Sequence, residues 1–62
     1  MKSKERETLE FLQKLASNLA VSNKEYYEKA NDAVDKAHYD GRAAAYEFMY
    51  KTIGKYISEL ED

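Results

Sequence analysis

Asp35 and His38 form the pair in this chain whose types and spacing come nearest to chemistry. Residues three apart share a helix face, so a carboxylate oxygen and an imidazole nitrogen could reach one metal ion, and a symmetric dimer would supply four ligands. Around the pair, however, the repeated Glu and Glu-x-x-His pattern of carboxylate di-iron bundles is missing, and His38 is the only histidine. The sequence therefore assigns no metal ligand and no cofactor. General acid–base catalysis by His38 would need a concave pocket and an oriented partner, and a chain of 62 residues encloses little pocket volume. No nucleophile stands in a recognisable setting: cysteine is absent, and Ser3, Ser17, Ser22 and Ser58 fall at a terminus, on helix surfaces or at a cap. Gly41 and Gly54 stand alone, outside any phosphate-cradling motif. The expectation is a protein without enzymatic activity and without catalytic residues.

The tyrosines suggest binding rather than catalysis. Six of the 62 residues are tyrosine, at Tyr26, Tyr27, Tyr39, Tyr46, Tyr50 and Tyr56. A tyrosine offers a large rigid ring at low entropic cost and a hydroxyl that tolerates water, which suits both the rim of a small core and a protein–protein interface. Tyr39, Tyr46 and Tyr50 are the foremost interface candidates. Arg42, Lys51 and Lys55 lie among these rings as phosphate contacts would beside stacked bases. Yet a net charge of -2 and a pI near 5.4 are not the balance of a nucleic-acid binder, so a nucleic-acid-associated accessory role stands only as the alternative.

Positioning these residues falls to helices. Proline is absent, glycine occurs twice, and Ala, Leu, Glu and Lys abound, so the chain is expected to be all-α. Leu9, Leu12, Leu15, Ala16, Leu19 and Ala20 recur at three- and four-residue spacing, and Ser3 is placed to cap a first helix running to about Val21. Ser22-Asn23-Lys24-Glu25 matches a capping box, with Val21 and Tyr26 placed as a hydrophobic staple, so a second helix is expected from Asn23. Glu10–Lys14, Glu25–Lys29, Asp32–Lys36 and Glu47–Lys51 set acid before base at four-residue spacing, a helix-surface pattern. Glu59, Glu61 and Asp62 sit at the unfavourable end of the helix dipole, which predicts a frayed last turn.

Within the second stretch two apolar series differ in phase. Tyr27, Ala30, Ala33, Val34, Ala37, Gly41, Ala44 and Phe48 form one, rich in small residues. Tyr39, Tyr46, Met49, Tyr50, Ile53, Ile57 and Leu60 form another, on nearly the opposite side of an uninterrupted helix. Two architectures accommodate them. In one, the helix breaks at Gly41 and the chain forms a three-helix bundle. In the other, favoured because Arg42-Ala43-Ala44-Ala45 continues a helix well and no N-cap follows Gly41, the chain is a helical hairpin with a long second helix. That helix would span roughly 55 Å against roughly 28 Å for the first, at 1.5 Å per residue. The Tyr39-to-Leu60 series would then face solvent and drive self-association, which makes its seven residues the predicted interface of a homo-oligomer.

The whole chain is expected to be one helical domain, residues 1–62. The amino terminus, MKSKERE, holds no apolar stretch of signal-peptide length, and no run approaches the roughly 20 apolar residues of a membrane span, so a cytoplasmic setting is expected. The segment Tyr39-Asp40-Gly41-Arg42-Ala43-Ala44-Ala45-Tyr46-Glu47 resembles an aromatic-x-Gly-basic-x-x-Ala-Tyr-Glu pattern found in small helical proteins of bacteriophages and other mobile elements. The resemblance implies a short, cofactor-free protein that acts by occupying a surface on another protein. Residue chemistry and resemblance meet in one expectation: a self-associating interaction module that regulates or inhibits a protein partner.

Overall fold

Ser3 starts the first helix as its type predicts. In the computed structural model, which describes residues 3–60, Ser3 is extended and its hydroxyl accepts from the Arg6 backbone N–H at 3.1 Å. That bond satisfies one of the four N–H groups a helix start leaves unpaired. Glu5 and Glu7 in the first turn face the positive end of the helix dipole. The helix, α1, spans Lys4–Lys29, and a second, α2, spans Ala33–Glu59. The two pack as a hairpin, and the described residues contain no strand.

The turn lies elsewhere than the capping-box pattern predicts. Ser22 to Glu25 are inside α1, not at its end. Asn23 is buried, and its side-chain amide donates to the Leu19 carbonyl at 2.8 Å, back along the same helix. Val21 remains exposed, and Tyr26 meets Tyr39 of α2 instead of stapling a helix start. The residues that turn the chain are Ala30, Asn31 and Asp32. Ala30 leaves the helix in an extended conformation, with its N–H bonded to the Tyr26 and Tyr27 carbonyls. Asp32 caps α2, its carboxylate accepting from the Val34 N–H at 2.7 Å. Asn and Asp favour such sites because their short side chains bond neighbouring backbone N–H groups.

Moving the turn by about two and a half helical turns of chain changes the proportions. α1 has 26 residues and α2 has 27, so each covers the other along its whole length. The expected short first helix and overhanging second helix are therefore corrected to two equal arms. α2 runs unbroken through Gly41, where no positive backbone angle occurs, so the three-helix alternative is not the fold. Leu60 closes α2, its N–H bonded to the Ile57 carbonyl. The fraying expected over Glu61 and Asp62 falls outside the described residues.

Two seams of 3-4 spacing meet between the arms. On α1 the seam runs through Leu9, Gln13, Ala16, Ala20 and Asn23; on α2 it runs through Tyr39, Ala43, Tyr46, Tyr50, Ile53 and Ile57. This is the repeat by which paired helices keep one stripe facing each other. Ala16, Ala20 and Ala43 are its buried apolar members, and Asn23 is buried with them. Alanines let the helix axes approach closely. Gly54 shows how closely, since a Cβ there would stand 2.8 Å from Nε2 of Gln13. Long side chains also reach across to backbone: Arg6 donates to the Ile57 carbonyl at 3.4 Å and Gln13 to the Tyr50 carbonyl at 3.5 Å. Near the turn, Tyr26 and Tyr39 rings lie 5.4 Å apart, and the Lys36 ammonium sits 5.4 Å from the Tyr27 ring centre. The result is a rod of 48 × 14 × 10 Å.

Candidate interaction surface

What the seam buries is small. No large side chain among the described residues is fully buried, and the buried apolar residues are three alanines. A fully buried Leu, Ile or Phe contributes about 1.5–3 kcal/mol relative to its exposed state, and this hairpin has none. Many of the larger apolar groups lie outside the seam: Leu12 and Leu15 on a flank of α1, Met49 and Tyr56 on a flank of α2, and Phe11 and Phe48 on the outer faces are all exposed. The chain exposes 4993 Å² of surface. A compact monomer of its mass would expose about 4,100 Å², so about 900 Å² is in excess.

The flanks are not alike. On one side of the hairpin, Ser17, Val21 and Lys24 of α1 and Glu47 and Lys51 of α2 line a shallow groove. Lys24 and Glu47 are ion-paired across it, and the Lys24 ammonium, by hydrogen bond and by charge, holds the Glu47 carboxyl below its ordinary range. That side is charged. At about 100° per residue, Thr8, Leu12, Leu15, Leu19, Ser22 and Tyr26 lie on the other flank of α1, none of them charged, with Lys4 on the same flank at the helix start. Their counterparts on α2 run from Arg42 through Ala45, Tyr46, Met49, Thr52 and Ile53 to Tyr56, with Arg42 the sole charge of that stretch and Asp35 and Glu59 flanking it toward the turn and the open end. Because the two groove-lining flanks share one side, these two share the opposite one. The hairpin thus has a charged side and a side whose middle is, Arg42 apart, uncharged and largely apolar, with Glu5 and Glu59 lining a groove beside Tyr56 at its open end.

The predicted interface residues divide between the seam, this second side and, for Tyr50, the charged groove. Tyr39, Tyr46, Ile53, Ile57 and Leu60 are half-buried, and with only two helices present their cover comes from α1. Tyr39 in particular is engaged by the rings of Tyr26 and His38. Met49 and Tyr50 remain exposed. The expectation that the whole series faces solvent is corrected: its inner edge packs on α1, and its outer edge, with Met49, continues onto the uncharged side. The small-residue series is the one left outside, with Val34 75% and Phe48 71% exposed and nothing within 4 Å of where a Gly41 Cβ would stand.

Sequence reasoning missed Leu12, Leu15, Leu19 and Tyr56 as members of a surface shared by both helices. The signal that finds them is Asn31-Asp32: a turn there makes the arms equal and sets which flank of α1 stands beside which flank of α2. Asp35 and His38 are exposed on α2, and among the described residues no three His, Asp or Glu side chains gather as a metal-holding group. Arg42 and Lys51 are nine positions apart, which at about 100° per residue puts them on opposite sides of α2, so the candidate phosphate contacts do not share a face. No described helix is long and apolar enough to cross a membrane. Comparison with protein-family models, curated proteins and solved structures finds no match to this chain.

Proposed function

We propose that this chain is a non-enzymatic protein–protein interaction module that associates with itself and acts by occupying a surface of another protein, as a regulator or inhibitor. The observation that carries the reading is that the fully buried apolar residues are alanines, while the large apolar side chains are half-buried in the seam or exposed on its flanks. Soluble monomers rarely leave extensive contiguous apolar surface uncovered, and such surface marks an interaction site. Small domains without disulfide or metal also commonly gain stability by association. Shallow, open grooves suit contact with a protein better than enclosure of a small substrate. The resemblance of Tyr39–Glu47 to small helical phage and mobile-element proteins supports the same reading, and the proposed setting is a cytoplasm. Sedimentation equilibrium over a micromolar-to-millimolar concentration series tests self-association. The mass is expected to rise above the 7.2 kDa of one chain. A single-chain mass throughout the series overturns it.

A further inference from the structure

Resting on that self-association, we infer that two copies of this hairpin join through the uncharged middle of these sides into a four-helix bundle, with Leu12, Leu15, Leu19, Met49 and Ile53 at the centre of the contact and Tyr56 toward its open end. Three observations select a second copy as the occupant. The surface in excess of a compact monomer, about 900 Å², is close to the roughly 800 Å² each partner contributes to a standard interface. The side consists of two parallel ridges, one per helix, and its own twin presents the same two ridges at the same spacing. A two-fold contact requires such self-complementarity, because the same patch serves both subunits. Charge sorts the sides as well: the Lys24–Glu47 pair and Lys51 lie at mid-length on the flank that would face water, whereas the middle of the contact side carries only Arg42, its other charges standing at the two ends, Lys4, Glu5 and Glu59 at the open end and Asp35 near the turn. Joining two hairpins also places Leu15 and Met49, exposed on one chain, in the interior of a bundle, supplying the large buried side chains that a single hairpin lacks.

Three single substitutions distinguish the surfaces. Leu15→Glu and Met49→Glu each put a charge on the uncharged side, and Val21→Glu puts the same charge on the charged side. Wild type is expected at twice the chain mass, Val21→Glu likewise, and Leu15→Glu and Met49→Glu with dissociation constants raised at least tenfold. A second measurement avoids dependence on variant folding. In this cysteine-free chain, nitroxide labels on Met49→Cys are expected closer to their twins than labels on Val21→Cys. A dimer indifferent to Leu15→Glu and Met49→Glu, or the reverse order of label distances, overturns this contact while leaving self-association standing. An assembly larger than two chains also overturns it. A single-chain mass for wild type at millimolar concentration overturns self-association itself.

Discussion

Lys24 and Glu47 belong to different helices, and their pairing is the clearest electrostatic link between the arms. The Lys24 ammonium depresses the Glu47 carboxyl by hydrogen bonding and by charge, with Lys51 adding a smaller push the same way. A carboxyl whose folded pKa lies below its unfolded value stabilises the fold above the unfolded value, about 4.3 for Glu, and loses that contribution as pH falls through the folded value. The pair is largely exposed, so water and salt keep the contribution small. Lys24→Met is expected to raise the Glu47 carboxyl toward its ordinary range in an NMR pH titration, and to flatten the stability profile on the acid side. An unchanged Glu47 titration would show the pairing absent in solution. Gly41 supplies a second residue-scale prediction. It sits in an exposed helix interior with open space where a Cβ would go, so Gly41→Ala should stabilise the hairpin by about 0.5–1 kcal/mol in urea unfolding. A loss of stability instead would mean that this face is occupied.

The helices themselves were legible in composition and periodicity, and continuity through Gly41 followed from the good helix formers after it and the missing N-cap. Ser3 was legible because a cap at a chain start competes with no other role. The turn was not, and the reason is local. Ser-x-x-Glu satisfies the capping box only if the Ser is extended, but the same four residues also fit a helix interior when a side chain bonds backward, as Asn23 does to Leu19. Asn31-Asp32 carried the actual turn chemistry and was hidden inside the Asp32–Lys36 helix-pair pattern. Of the surface, Met49 and Ile53 could be found from α2 alone. Leu12, Leu15 and Leu19 could not, since their neighbourhood depends on where the chain turns. The two sites differ measurably: Asp32→Ala removes a working cap and should cost about 1 kcal/mol, whereas Ser22→Ala replaces a helix-interior residue and should be neutral or stabilising by a few tenths. Comparable losses in both variants would return the boundary to Ser22.

For the molecule as a whole, the decisive quantity is how little a single hairpin hides. A rod 48 Å long and 10 Å thick keeps nearly every residue near its surface, and its seam fully buries only Ala16, Ala20 and Ala43 among apolar residues, with Leu9, Tyr39, Tyr46, Ile53 and Ile57 half-buried around them. Close approach of the arms and a large-residue core are mutually exclusive here, because the alanines that allow the first supply little of the second. On the proposed self-association, part of the stability comes from the second copy, because binding to the folded state alone stabilises by mass action. The expected consequence is a thermal midpoint that climbs with protein concentration. Unfolding of a self-contained monomer would keep one midpoint at every dilution. Scanning calorimetry or circular dichroism over a hundredfold dilution separates the two: a drifting midpoint ties folding to association, and a fixed one would place the stability within the alanine seam itself.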